Sequence, residues 1–293
     1  MTEHSKGLLA MVGACTLWGV SGLLFAELSH VAALEVMAHR VVWSAVFFGA
    51  LVLLRPGLRA GFSAVRAPGV AWRLALGSAL ISINWLGYIW AVQTGHATDA
   101  SLGYYIFPLL AAALGYAVYG EGLSRWQVLA IGLAAAAVLI LTFGLGRVPW
   151  LALFLAGTFA IYGTIKKSLP MGPLHSVALE VAIIAPLALG YLAVVHGRGG
   201  GAFGGNWHDS GLLMATIAFT GVPLVMLTAA TQRIGYATLG IVQYLNPTLQ
   251  FAVAVLVLGE GFAPVQAVAF ALIWAGVALY AGDLLRRSGR ERV

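Results

Sequence analysis

The sequence predicts an all-α integral membrane protein of ten transmembrane helices, built as two inverted five-helix repeats. Three observations carry that expectation: an extreme apolar bias, ten long apolar runs, and a motif that recurs at a fixed offset. Of 293 residues, 61% are hydrophobic and 9% charged, whereas soluble domains run near 45–50% apolar and about 25% charged. Length alone would suit two soluble domains. The apolar runs argue instead for one bundle in lipid.

A spanning helix needs about 20 mostly apolar residues. Runs of that kind, separated by polar or Gly/Pro breaks, fall at roughly 7–28, 33–54, 72–95, 98–118, 126–145, 149–165, 174–195, 211–232, 236–258 and 264–284. Only Gly144-Leu145-Gly146-Arg147 separates the fifth from the sixth. The first run is too long for a signal-peptide core, lacks a small-x-small cleavage site, and is followed by further spans. The lone Cys15 lies inside it, so no disulfide framework is expected. The stretch after His196, with Gly197, Gly199, Gly200, Gly201, Gly204 and Gly205, reads as a flexible loop.

Charge placement sets the expected direction. With the N-terminus inside, Lys6, Arg55, Arg59, Arg66, Arg73, Arg125, Lys166, Lys167, Arg233, Arg286, Arg287, Arg290 and Arg292 all fall on the inner side. Only Arg40, Arg147 and Arg198 fall in or near the outer half. Such a bias marks the cytoplasmic side, so both termini are expected there. Topology accounts for the net charge of +6. No basic run interleaved with aromatics points to nucleic acid.

The two halves, 1–146 and 147–293, repeat each other. Tyr-Ile-Phe-Pro ending at Pro108 precedes Gly120-Glu121-Gly122 and Gln127, and Tyr-Leu-Asn-Pro ending at Pro247 precedes Gly259-Glu260-Gly261 and Gln266. One offset of 139 superposes Tyr105 on Tyr244, Pro108 on Pro247, both Gly-Glu-Gly triplets and both glutamines. Five spans per half is an odd number, so the second half must cross in the opposite sense to the first. Inverted halves around a midplane site suit alternating access.

At Leu17-Trp18-Gly19, His39-Arg40-Val41-Val42-Trp43-Ser44, Asn84-Trp85 and the doubled Pro-x12-Glu pattern, the chain resembles the EamA-type carriers of the drug/metabolite transporter superfamily, and within them the RarD branch. The resemblance implies a ten-helix export-type carrier in a bacterial inner membrane, with its cavity between helices 1–4 and 6–9 and the fifth and tenth helices peripheral. It leaves the substrate open. Nothing in the second half matches His39-Arg40, so the halves are expected to contribute unequally.

The expected cavity set is Trp18, His39, Arg40, Asn84, Trp85, Tyr88, Tyr104, Gln243, Tyr244 and Asn246. Val41 to Leu54 gives only about 21 Å of helix at about 1.5 Å per residue. The second helix must therefore start near Ala33, which places Arg40 below the outer surface. A charge at that depth costs on the order of 3 kcal/mol and is usually functional. The alternative is that Arg40 reaches outward while Glu35 clasps His39 at i,i+4. Asn84 and Tyr88 share one helix face, as do Gln243, Asn246 and Gln250. Such faces line a wet cavity or form interhelical hydrogen bonds.

Glu180, inside the seventh span, is either a proton-coupling acid or a packing residue. Glu121 and Glu260 at the turns are expected to cap the following helices and stay solvated. Mid-span Pro108, Pro186, Pro223 and Pro247 should bend helices or free carbonyls. Trp72, Trp126 and Trp150 belong to interface belts. No Gly-x-Ser-x-Gly, His-Glu-x-x-His or buried aspartate pair supports an enzyme, and no metal or cofactor is expected. The partners expected are the bilayer and a small substrate, neutral or zwitterionic, with amino acids first; the alternative is a multidrug or drug-cation exporter. Oligomeric state is left open.

Overall fold

The structure, a computed structural model, describes residues 1–120 and 122–290, with the side chains at 56, 58–60, 236, 237, 284, 285 and 287–290 set aside. Glu121 and its expected cap therefore lie outside the described residues. The helices are α1 (Glu3–Glu27), α2 (Ala33–Leu54), α3 (Val70–Gln93), α4 (Ala97–Tyr119), α5 (Arg125–Leu145), α6 (Trp150–Lys167), α7 (Pro173–Gly197), α8 (Trp207–Ala215), α9 (Gly221–Thr231), α10 (Tyr236–Val242), α11 (Leu245–Ala252) and α12 (Pro264–Arg290). A 3-10 segment, Thr216–Phe219, joins α8 to α9, and a π-helical turn, Val253–Val257, extends α11. No β-strand occurs among the described residues.

Nine helical stretches among the described residues are long and apolar enough to cross a membrane. Two of them, Trp207–Thr231 and Thr238–Val257, are each assembled from shorter pieces. The segment expected as the sixth span forms the 18-residue helix α6, which is not one of the nine. It ends on Lys166 and Lys167, which lower its hydropathy below that of the nine. Lys166 finds a buried partner, described below.

Local chemistry sets the boundaries. Ser124 caps α5 in a reciprocal capping box with Gln127, and the Ser124 N–H donates to Gln127 Oε1 at 2.9 Å. The equivalent Ala263 N–H donates to Gln266 Oε1 at 2.7 Å. Gly120 and Gly259 both carry positive φ, 66° and 69°, a conformation that only glycine adopts cheaply. Each of these pairs is related by the offset of 139 seen in the sequence.

The four mid-span prolines behave in two ways. Pro108 and Pro186 sit inside continuous helices. Pro223 and Pro247 instead stand third in α9 and α11, each just after a break. Proline has no N–H and crowds the carbonyl four residues back, but in the first turn that N–H has no helical acceptor to lose. The expected eighth and ninth spans, 211–232 and 236–258, are thus corrected. The eighth starts earlier, at Trp207, and is interrupted at Thr216–Phe219; the ninth is interrupted at Gln243–Tyr244.

In lipid, helix association rests on close van der Waals packing, because the tails are as apolar as the side chains. Small residues allow that approach. A methyl group added at Gly103 of α4 would lie 2.6 Å from the Ala152 carbonyl oxygen of α6. One added at Gly19 of α1 would lie 2.5 Å from Leu249 Cβ of α11. α2 packs chiefly on α7, α4 on α6, and α1 on α9 and α11. α5 and α12 pack chiefly on each other. The largest core cluster, around Phe25, Leu28, Val36, Met37 and Ile89, joins α1, α2 and α3 to α7.

Candidate functional site

Arg40 is the organising residue. It is 4% exposed and does not reach outward. Its Nε donates to Thr220 Oγ1 at 2.6 Å and its Nη2 to the Phe219 carbonyl at 3.3 Å. Pro223 explains that carbonyl: it stands four residues after Phe219 and has no N–H to offer it. The guanidinium lies over the Trp85 ring at 4.2 Å and near the Phe25 ring at 5.7 Å. Among the described residues no carboxylate pairs with it. A buried cation held by a hydroxyl, a carbonyl and two rings is short of an anion.

A second polar region surrounds the broken ninth span. Among the described residues, seven buried side-chain atoms lack a hydrogen-bond partner, and three of them belong to Tyr244, Asn246 and Gln250. Three more, on His39, Trp43 and Ser44, lie in α2 beside Arg40. Unpartnered buried polar groups are rare and call for an explanation. Gln243 sits at the break, half-buried, one residue before Tyr244.

One stripe of α1 connects the two regions. Gly19 meets Leu249 and the Asn246 carbonyl, Gly22 meets the Tyr88 hydroxyl and Val253, and Phe25 meets Tyr88 and Arg40. Tyr88 in turn packs edge-on against Tyr104 at 5.7 Å. Trp18 is half-buried one residue before Gly19.

Two expected cavity residues are engaged elsewhere. The Asn84 amide donates to the Leu155 carbonyl at 2.9 Å and to Thr158 Oγ1 at 2.8 Å, and its oxygen accepts the Tyr104 hydroxyl at 2.9 Å. Its hydrogen bonds tie α3 to α6 and α4, the bundle-holding role. His39 faces the glycine-rich loop, stacked on Phe203 at 5.1 Å. The alternative Glu35–His39 clasp is not formed: Glu35 Oε1 accepts the Ala202 N–H at 2.7 Å, and His39 Nε2 has no hydrogen-bond partner.

Glu180 is not a lone acid. Its Oε1 pairs with Lys166 Nζ at 3.0 Å and its Oε2 accepts the Tyr162 hydroxyl at 2.8 Å. Lys166 also donates to Ser176. Glu260 departs from expectation as well: it is half-buried and caps α4 rather than the helix that follows it. Its two oxygens accept the Ala97 and Thr98 N–H groups, each at 2.8 Å. A carboxylate at a helix N-terminus satisfies orphan donors and meets the positive end of the dipole. Just past the end of α1, His30 Nε2–H donates to Asp209 Oδ2 at 3.0 Å, and this bond raises the His30 pKa.

A cleft of about 470 Å³ opens between α2, the start of α7, and α9. Phe47, Leu51, Val222 and Met226 line it, with Arg55 and Arg233 among its lining residues as well. Phe47 lies seven residues after Arg40, on the same face of α2. It also touches the backbone at Gly221, next to Thr220. The cleft therefore runs from Arg55, at the end of α2, to Phe47, two helical turns from Arg40.

Long apolar helices around a buried arginine, with no carboxylate paired to it among the described residues, define a multi-pass membrane protein. Comparison with known proteins gives the family. Residues 5–143 match the EamA-like transporter family. The chain is 41% identical to Protein RarD of Streptomyces exfoliatus, over 99% of this chain and 92% of that one. It is 37% identical to an "Uncharacterized transporter" of Vibrio cholerae, over 99% and 96%. It is 31% identical to a "Chloramphenicol-sensitive protein RarD" of Pseudomonas aeruginosa, over the whole of both chains. The chain belongs to the EamA/RarD-type transporters of the drug/metabolite transporter superfamily. A solved crystal structure shares the fold with a TM-score of 0.64 at 19% identity, over 97% of this chain and 98% of that one.

Proposed function

We propose that this protein is an inner-membrane carrier that exports small carboxylate-bearing metabolites, amino acids first, by alternating access. The observation that carries the reading is Arg40: a buried guanidinium with no carboxylate partner among the described residues. A substrate carboxylate would supply the missing anion through charge-assisted hydrogen bonds. Trp85, Tyr88 and Tyr104 would flank the substrate's body. Trp18, Gln243, Tyr244, Asn246 and Gln250 would offer the remaining polar and aromatic contacts across the α1 stripe. Asn84 would position Tyr104 rather than touch substrate.

The working architecture is ten spans in two inverted five-helix repeats, 1–146 and 147–293, with both termini cytoplasmic. Repeated local geometry at an offset of 139 supports it, as does the presence of α6 where the sixth span is expected. Interrupted helices with free polar groups are a recurring device of transporter sites. Glu180, paired with Lys166, is a candidate for coupling through a change in that pair rather than as a free acid. A multidrug exporter on the same fold is the second reading, favoured by the chloramphenicol-sensitive relative. Purified protein in liposomes, offered a panel of amino acids and drugs, tests both. Saturable flux of amino acids, lost for analogues without a carboxylate, is expected; flux of drugs alone would replace the first reading with the second.

A further inference from the structure

At the end of the bundle that carries the glycine-rich loop, three side chains meet that the proposed transport path does not use. Glu35 and His39 stand one turn apart on α2, and His196 comes from the last turn of α7. One potential ligand atom from each lies within 4.8 Å of the others.

The state of each group points to a cation. His39 is 4% exposed, and its Nε2 is buried with no hydrogen-bond partner. Stacking on Phe203 at 5.1 Å holds its ring beside His196, whose ring centroid lies 6.2 Å away. His196 Nδ1 contacts the Leu192 carbonyl at 2.9 Å, while its Nε2 lies 3.2 Å from the Phe203 carbonyl. In a neutral imidazole only one nitrogen carries hydrogen. If Nδ1–H donates to Leu192, the Nε2 lone pair faces a carbonyl oxygen, a contact that a bound cation would relieve. A ligating histidine ordinarily donates its second nitrogen to a carbonyl in this way. Glu35 is anchored through one oxygen by the Ala202 N–H at 2.7 Å, which leaves the second oxygen for a metal.

We propose that Glu35, His39 and His196 form a binding site for a divalent transition-metal ion, Zn²⁺ in the first place. Two imidazoles and a carboxylate suit Zn²⁺, whereas Mg²⁺ and Ca²⁺ prefer all-oxygen sites. Three protein ligands leave a fourth tetrahedral position for water. Metal–ligand bonds of about 2.0–2.2 Å set ligand atoms about 3.4 Å apart. From separations of up to 4.8 Å the trio must therefore close by up to about 1.4 Å, within reach of side-chain rotation at exposed His196. The bound ion clasps α2, from the first half of the chain, to α7 and the loop that begins at Arg198.

The test uses purified full-length protein, stripped with a chelator and titrated with Co²⁺ as a spectroscopic probe and then with Zn²⁺. One equivalent per chain with a four-coordinate Co²⁺ spectrum, displaced by Zn²⁺, is expected. His39→Gln and His196→Gln should each weaken binding by about tenfold or more, the scale on which metal sites lose affinity when a supporting group is removed. His196 is exposed, so its variant reports even if the buried His39 variant fails to fold. His30→Gln with His208→Gln, two exposed histidines that contact Asp209 instead, should leave affinity unchanged. Three results would each overturn the proposal: no saturable binding below about 100 μM, binding retained in His196→Gln, or binding lost in the His30/His208 variant.

Discussion

Replacing Arg40 with methionine separates its two possible contributions, to substrate and to the bundle. Methionine keeps the unbranched apolar stem but ends about where Arg40 Nε lies, short of the guanidinium carbon that sits 4.2 Å over the Trp85 ring. It removes the donors to Thr220 Oγ1 and to the Phe219 carbonyl. A hydrogen bond to a charged group contributes about 1.5–3 kcal/mol, and each 1.4 kcal/mol is about tenfold in an equilibrium constant. If a substrate carboxylate docks on Arg40, apparent affinity should fall by about tenfold to a hundredfold. The folded protein should lose less, because a buried charge and its desolvation leave together. Uptake into liposomes is measured for an amino acid and for the amine that lacks its carboxylate, with monodispersity and thermal unfolding checked on the same preparation. The amino acid should lose affinity and the amine should not. Equal affinity for the amino acid in both proteins, or equal losses for amino acid and amine, would refute the assignment and leave Arg40 as a clamp between α2 and the segment before α9.

Gly19→Leu should separate α1 from α11, since even a methyl carbon there lies 2.5 Å from Leu249 Cβ; overpacking of this kind costs about 1–3 kcal/mol, readable as a lowered Tm in detergent. Glu180→Gln leaves half-buried Lys166 facing a neutral amide in place of its counter-charge, and about 3–5 kcal/mol, the cost of breaking a fully buried pair, is the upper limit of the loss. The double variant Glu180→Gln with Lys166→Met should recover most of that loss in thermal unfolding, and no recovery would show that the pair is not the cause. Cysteines placed at Gly200 and Arg290 should be labelled by an impermeant reagent from intact cells at Gly200 only; labelling at Arg290 alone would invert the proposed topology. Glu260→Gln keeps the shape of the α4 cap but removes its charge, so it should lower Tm by an amount equivalent to about 1 kcal/mol, with Glu260→Ala lowering it further.

The sequence by itself determined the solvent, the class and nearly all the helix limits. Apolar runs of spanning length report burial in lipid directly, whatever packs against them, and glycine or proline punctuation marks where they stop. It also singled out Arg40 as a charge inside a span, because such a charge is costly wherever its partner lies. What it left open were the partners. Lys166 reads as an inner-side charge and Glu180 as a lone acid until α6 and α7 bring them to 3.0 Å. Asn84 reads as a cavity amide until α6 supplies the Leu155 carbonyl and Thr158. Glu260 sits beside one helix in sequence but caps another 162 and 163 residues away. Prolines 108 and 247 stand in the same motif, yet one is absorbed in a continuous helix and the other follows a break. Periodicity and hydropathy are properties of one helix against its solvent. Hydrogen bonds, ion pairs and close glycine contacts belong to pairs of helices, and only the packed bundle decides which pairs those are.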